Sequence, residues 1–127
     1  MKNSPILSVV LPAFNEEGVI SNTLRRLREV IAANDVLRGS VEVIVVSDGS
    51  ADGTFDEACD ALGKDLPGEV IQLVSNVGSH AAIRSGLRRT RGRYVAILAA
   101  DGQDPPEMLS KMLDAFLPTI YLVCATR

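Results

Sequence analysis

Three short segments of the chain carry side chains that could bind a metal ion and, through it, a phosphorylated ligand. The segments are 12–17, 47–50 and 101–104, and an apolar run precedes each of them. Asp101 and Gln103 offer a carboxylate and an amide oxygen, which are ligands for hard divalent cations. Because a bound cation can balance the charge of a diphosphate, the segments are compatible with a phosphorylated ligand.

The sequence contains no standard phosphate-binding loop. The first apolar run is not followed by Gly-x-Gly-x-x-Gly, and residues 63–65 lack the spacing of a P-loop. Classical dinucleotide binding and P-loop chemistry are therefore disfavoured. Phe14 could instead rest against a flat base, and Asp48 could accept hydrogen bonds from the N–H groups of a base.

Strand and helix signals alternate along the chain. Strands are predicted at 6–11, 41–46, 70–74, 94–100 and 120–125. Helices are predicted from a cap at Asn15 with Glu16 and Glu17 in the first turn, through 55–62 with Gly63 as its end, from Ser79 or His80 onward, and from a cap at Asp104 through 116. The third of these helices would pack closely through a face of small residues that includes Ala82 and Gly86, together with Ile83 and Leu87.

This alternation predicts βαβ units and a parallel sheet with helices on both faces. The fold class is therefore α/β, a three-layer α/β/α arrangement over residues 1–127. The most apolar run, 94–100, is expected at the centre of the sheet. The polar segments would then meet at the carboxyl edge of the sheet, where open parallel sheets bind ligands.

Composition limits the class of protein and of partner. The chain has 127 residues, 46% hydrophobic and 23% charged, and a net charge of −3, which is typical of one globular domain and does not favour nucleic acid as a partner. No apolar run approaches the roughly 20 residues of a membrane span, and the start has no signal-peptide layout. The predicted location is cytoplasmic.

The cysteines, the histidine and an arginine cluster each allow a structural interpretation. Cys59 and Cys124 lie far apart and are predicted to be small core residues. His80 is interpreted as a helix cap, with a donor-site role as the alternative. The arginine cluster comprises Arg84, Arg88, Arg89, Arg91 and Arg93. It is interpreted as a solvated helix face, with steering of a diphosphate or contact with anionic lipid headgroups as alternatives.

Four segments, taken together, resemble the inverting glycosyltransferases of family 2, which have the GT-A fold. They are 8–17, 46–54, 76–82 and 99–107, and they span nearly the whole chain. The Gln-Asp-Pro-Pro-Glu run at 103–107 is most similar to the polyprenyl-phosphate branch, which includes enzymes like dolichol-phosphate-mannose synthase. The resemblance implies a Rossmann-like domain that binds a UDP- or GDP-sugar and serves cell-wall or polysaccharide synthesis.

The resemblance also implies a role for individual residues. Residues 12–14 and Glu16 would line the nucleoside pocket, and Asp48 would contact the base. Residues 100–101 would lie at the ribose and diphosphate, and Arg127 near the donor phosphates. The implied nucleotide-sugar set is Pro12, Ala13, Phe14, Glu16, Asp48, Ala100, Asp101 and Arg127, with Asp101 and Gln103 as ligands of Mg²⁺ or Mn²⁺.

The chain departs from the family pattern in three places. Ala99 stands where the Asp-x-Asp motif has its first carboxylate, and Ser47 replaces the first member of an Asp-Asp pair. The sequence ends at Arg127, where family members continue into the acceptor half, so the resemblance covers the donor-binding half and identifies no catalytic base.

Two functions from other classes stay open alongside a glycosyltransferase. One is a nucleotide-diphosphate-binding fragment without catalysis. The other is a structural α/β module that associates, also with copies of itself, through an exposed edge strand. For the enzyme, the expected acceptor is a lipid phosphate or a glycan, and the alternative location is the cytoplasmic face of a membrane.

Overall fold

The computed structural model describes residues 5–63 and 66–98 and the backbone of 122–124. The strands are β1 (Leu7–Ala13), β2 (Val41–Ser47), β3 (Gly68–Gln72), β4 (Tyr94–Ile97) and β5 (Leu122–Cys124). The helices are α1 (Ile20–Ala33), α2 (Thr54–Leu62) and α3 (Ser79–Leu87). The helix predicted from Asp104 lies outside the described residues.

The strands form one parallel sheet in the order β3-β2-β1-β4-β5, which confirms the predicted fold class. The prediction that the run 94–100 occupies the centre is wrong, because β1 holds the middle position and pairs with both β2 and β4. β2 and β3 lie on one side of β1, and β4 and β5 lie on the other. The boundary between β1 and β4 is therefore the switch point, where open sheets bind ligands.

Alternate residues of β1 supply two separate cores. Val9 and Leu11 are fully buried in the layer that includes α1 and α2, whereas Val10 belongs to the smaller core on the α3 face. Helices consequently cover both faces of the sheet, as the three-layer prediction requires. Among the described residues, none of the helices has the length and apolar character needed to cross a membrane.

Helix α3 packs against the sheet through its smallest residues. Ala82 and Gly86 are buried, and a Cβ on Gly86 would lie 2.7 Å from Cγ1 of Val10 and 3.0 Å from Cγ2 of Val46. This confirms the predicted close packing. Leu87, which was expected on the same face, is instead 36% exposed.

Helix α1 begins at Ile20, so the prediction of a cap at Asn15 is wrong. Asn15 adopts a left-handed conformation (φ 52°), which ends any helix at that residue. The residue before α1 makes no side-chain capping bond, and the carboxylate of Glu57 in α2 serves instead. Glu57 accepts hydrogen bonds from the amides of Gly18 at 2.7 Å and Ser21 at 2.9 Å.

Strand β1 continues through Pro12 to Ala13, beyond the predicted end at residue 11. Pro12 is aligned with Val46 of β2, but the pairing of β1 with β4 ends at Val10 and Ile97. Pro12 lacks an amide hydrogen, and at this position it breaks no bond between β1 and β4. It therefore marks the end of β1–β4 pairing at the switch point.

The bounds of β3 and the exposure of Cys59 also differ from the prediction. β3 begins at Gly68 and ends at Gln72, two residues before the predicted run at each end. Cys59 is exposed on α2, because the buried face of that helix is formed by Thr54, Ala58 and Leu62. The side chain of Cys124 lies outside the described part of the chain.

Replacing Gly86 with alanine is expected to lower the free energy of unfolding by about 1 kcal/mol. Overpacking against the two valines costs roughly 1–3 kcal/mol, which exceeds the helix-propensity gain of up to about 1 kcal/mol. Urea unfolding followed by circular dichroism measures the change, with Ser85→Ala on the same helix as the control. A more stable Gly86→Ala protein would contradict the close packing of α3.

Replacing Glu57 with glutamine is expected to cost about 1 kcal/mol at pH 7, the usual value of a helix N-terminal cap. The hydrogen bonds from Gly18 and Ser21 lower the pKa of Glu57. Its contribution is therefore fully present above the ordinary glutamate pKa of about 4.3 and is lost as the pH falls through the lower, folded-state pKa. Urea unfolding at pH 7 and pH 3 should show the gap between the two proteins shrinking in acid.

The matched control is Glu29→Gln, because Glu29 is an exposed α1 residue paired with Arg25. This change should alter stability by less than about 0.5 kcal/mol at pH 7. A gap between Glu57→Gln and the unsubstituted chain that is equally large at both pH values would contradict the capping role of the carboxylate.

Candidate functional site

Three loops form the carboxyl edge of the sheet near the switch point. We call them the rim loops: 14–19 after β1, 48–53 after β2 and 73–78 after β3. They contain most of the two polar segments, 12–17 and 47–50, that the sequence predicts in the described part of the chain, and the first residues of those segments belong to β1 and β2. The segment 101–104 follows β4 and lies outside the described residues.

The first two rim loops are joined by reciprocal hydrogen bonds. The amide of Asn15 donates to Oγ of Ser50 at 3.0 Å, and Oδ1 of Asn15 accepts from the amide of Ala51 at 2.9 Å. The amide of Glu16 donates to Oγ1 of Thr54 at 2.8 Å. Side chains of each loop thus satisfy backbone groups of the other, and the two loops form one unit.

Carboxylates extend this connection at the exposed side of the loops. The amide of Gly53 donates to Oε1 of Glu17 at 2.8 Å, and the amide of Glu17 donates to Oδ2 of Asp52 at 3.3 Å. The hydroxyl of Thr54 also donates to Asp52, and this bond is the main cause of the lowered pKa of Asp52. The carboxylate of Asp52 therefore stays ionised at neutral pH while it accepts the hydrogen bond from the amide of Glu17.

Asp48 joins the second rim loop to the third. It is only 4% exposed, and its carboxylate accepts hydrogen bonds from the amides of Val77 at 2.8 Å and Gly78 at 3.0 Å and from Nδ2 of Asn76 at 3.0 Å. Gly49 makes the approach possible, because a Cβ at its φ of 68° would lie 2.3 Å from the amide nitrogen of Asn76. Three of the roughly four lone-pair positions of the carboxylate are occupied from within the chain.

The structure brings the predicted residues of the first two segments to one edge. Pro12 and Glu16 are half-buried, Ala13 is buried, and Phe14 is 46% exposed beside the loop that contains Asp48. The remaining predicted residues, Ala100, Asp101, Gln103 and Arg127, lie outside the described residues. Within 5–63 and 66–98, no group of three or more His, Cys, Asp or Glu side chains is placed to hold a metal ion.

The arginine cluster leads toward the opposite edge of the sheet. Arg89 binds both carboxylate oxygens of Glu69 near the start of β3, and the amide of Arg91 donates to Glu42 near the start of β2. Both arginines are exposed and bind carboxylates away from the rim loops, which agrees with the interpretation of the cluster as a solvated face. His80 is exposed, and α3 has no side-chain capping bond, so the interpretation of His80 as a cap is wrong.

The sequence interpretation missed a buried polar network at that opposite edge. Glu42 is 3% exposed and accepts from Oγ of Ser8 at 2.6 Å and from the amide of Arg91 at 2.6 Å. The amide of Gly92 donates to Oγ of Ser8 at 2.8 Å. This network attaches the α3–β4 connection to the sheet. A glutamate within an otherwise apolar strand was the available signal.

Comparison with known proteins gives relatives over most of the chain. An undecaprenyl-phosphate 4-deoxy-4-formamido-L-arabinose transferase of Aeromonas hydrophila is 40% identical in an alignment of 120 residues that covers 91% of this chain and 35% of the relative. An uncharacterised glycosyltransferase of Synechocystis sp. is 33% identical over 121 residues, 95% of this chain and 37% of the relative. The chain thus spans about a third of the length of these relatives.

Solved structures agree with the fold. A mannosyltransferase of Pyrobaculum calidifontis, in complex with GDP-mannose and Mn²⁺, superimposes with a TM-score of 0.79 at 27% identity and covers 93% of this chain and 34% of its own. TarS of S. aureus in complex with UDP-GlcNAc gives a TM-score of 0.67 at 26% identity, over 87% of this chain and 30% of its own.

The profile of glycosyl transferase family 2 matches residues 8–127, which include every strand and helix described above except the first residue of β1. The chain therefore belongs to glycosyl transferase family 2.

Proposed function

We propose that this chain binds a nucleotide-diphospho-sugar at its rim loops and acts in transfer of the sugar, with inversion, to a polyprenyl phosphate. The observation that carries the proposal is the joining of the loops after β1 and β2 into one unit beside the switch point. Family membership supports the same reaction class.

The nucleoside would bind against the first two rim loops. Phe14 is 46% exposed and offers an aromatic face to a base. Asp48 keeps about one lone-pair position for an N–H of the base, since the other three accept bonds from residues 76–78. The two solved relatives hold GDP-mannose and UDP-GlcNAc, so a donor of either base class is compatible with the proposal.

The diphosphate would lie toward the end of β4, beside β1. Asp101 and Gln103 follow β4 in sequence, and their hard oxygen donors fit Mg²⁺ or Mn²⁺. A divalent cation there would neutralise the negative charge of the leaving diphosphate. The mannosyltransferase relative contains Mn²⁺ together with GDP-mannose, which supports this assignment. Arg127 is proposed to add positive charge near the phosphates.

In the proposed reaction, an oxygen of the acceptor attacks C1 of the sugar as the bond from C1 to the diphosphate oxygen breaks. Attack from the opposite face inverts the anomeric centre. The relative from A. hydrophila is named for an undecaprenyl-phosphate acceptor, which supports a lipid phosphate here. Such an acceptor would place the reaction at a membrane surface.

A second candidate is nucleotide-diphosphate binding without transfer. The observation that favours it is Ala99, which stands where the family's Asp-x-Asp motif has a carboxylate. Transfer of sugar from GDP-mannose or UDP-GlcNAc to undecaprenyl phosphate in the presence of Mn²⁺ would select the first candidate. Tight binding of the diphosphate with no transfer would select the second.

Calorimetric titration with UDP and GDP, with and without Mn²⁺, tests the assigned roles. Asp101→Asn is expected to weaken binding about tenfold only when the metal is present, because one charged ligand is lost. Asp48→Ala is expected to weaken binding under both conditions. Asp60→Asn, an exposed change on α2, is the control and should leave both affinities unchanged.

The variant Asn76→Ala distinguishes two roles of Asp48, which are the proposed contact with the base and the hydrogen bonds to the third rim loop. This variant removes one bond to the carboxylate and leaves Asp48 in place. If Asn76→Ala weakens binding as much as Asp48→Ala does, the base contact is contradicted. Equal losses for Asp101→Asn and Asp48→Ala under both metal conditions would contradict the division of roles.

A further inference from the structure

We infer that Asn15 and Ser50 are positioning residues that hold the first rim loop in the conformation required for nucleotide binding. The inference rests on the proposed function, because the loop they hold carries Phe14 and Glu16. Neither Asn15 nor Ser50 belongs to the residue set implied by the family resemblance.

The backbone of Asn15 is the first reason. Among the described residues it is the one non-glycine with a positive φ, 52°. Most side chains disfavour this left-handed conformation, whereas asparagine tolerates it comparatively well. The conformation turns the chain away from β1 directly after Phe14. A residue that favours extended backbone here would redirect residues 16–19 relative to β1.

The two-way hydrogen bonding of Asn15 is the second reason. Its amide donates to Ser50 at 3.0 Å, and its side-chain Oδ1 accepts from Ala51 at 2.9 Å. Ser50 is only 8% exposed and its hydroxyl also accepts from Oγ of Ser47 at 2.9 Å, the last residue of β2. Ser50 therefore connects Asn15 to Ser47, at the end of the buried strand β2.

Loss of these hydrogen bonds would change the conformations that the first rim loop adopts before a nucleotide binds. Residues 14–19 precede α1 and belong to neither β1 nor α1. Without the bonds to Ser50 and Ala51, Phe14 and Glu16 would sample more conformations, and binding a nucleotide would require ordering them. Affinity would fall by the fraction of the competent conformation that is lost.

Three variants of the full chain test the inference by titration with GDP and UDP in the presence of Mn²⁺. Asn15→Gly keeps the tolerance for positive φ but removes Oδ1, and should weaken binding about five- to tenfold, the effect of one lost hydrogen bond. Asn15→Asp restores an acceptor at the same position and should bind within about threefold of the unsubstituted chain. Ser50→Ala should behave like Asn15→Gly.

Ser8→Ala is the matched control, because it removes a buried serine hydroxyl at the opposite edge of the sheet. It should lower the thermal midpoint without changing the affinity. If Ser8→Ala and Ser50→Ala weaken binding equally, or if Asn15→Gly binds like the unsubstituted chain, the positioning role is contradicted while the proposed function stands. Absence of binding by the unsubstituted chain contradicts the proposed function instead.

Amide hydrogen exchange without ligand tests the positioning role independently of that function. Exchange at Asn15 and Glu16 should accelerate at least fivefold in Ser50→Ala and stay unchanged in Ser8→Ala. Unchanged exchange at both amides in Ser50→Ala would overturn the inference whether or not nucleotides bind.

Discussion

The carboxyl edge of this sheet depends on one constraint. Backbone amides in the loops beyond the strands are no longer paired with a neighbouring strand, and they must find other hydrogen-bond acceptors. Here side-chain oxygens of the first two rim loops, together with the hydroxyl of Thr54 at the start of α2, accept hydrogen bonds from amides of the neighbouring rim loops. Ser50 and Thr54 bind the amides of Asn15 and Glu16, and Asp48 binds those of Val77 and Gly78. The loops are therefore held in place by one another.

The same constraint limits how a phosphate could be held. Phosphate loops work by pointing free backbone amides at the anion, but the amides of Asn15, Glu16, Gly53, Val77 and Gly78 are bonded within the chain. Carboxylates at the exposed side of the loops add negative charge. A diphosphate at this edge would need positive charge from elsewhere, which agrees with the proposed roles of a cation near Asp101 and of Arg127.

The sequence was sufficient to predict the parallel α/β fold, because β-branched runs and helix signals alternate regularly and short polar segments follow the strands. It was insufficient where tertiary contacts override local signals. Asn15 has the residue type of a helix cap, but its bonds to Ser50 and Ala51 draw it into a left-handed turn, and Glu57 from another helix caps α1 instead. The run 94–100 is the most apolar, yet strand order is set by crossover connections and not by hydropathy alone. Of the candidate site, residue types after the strands predicted which side chains from β1 and β2 share an edge, but not that the carboxylate of Asp48 is largely occupied by the third loop.

The proposed function requires that a nucleoside diphosphate binds across the loops after β1 and β2 with the help of a divalent cation. Titration of the ¹⁵N-labelled chain with GDP or UDP and Mg²⁺, followed by amide chemical shifts, tests it most directly. The largest shifts are expected in residues 13–17 and 48–51, and none in 88–92 at the opposite edge. Shifts concentrated at 88–92, or none anywhere at millimolar nucleotide, would contradict it.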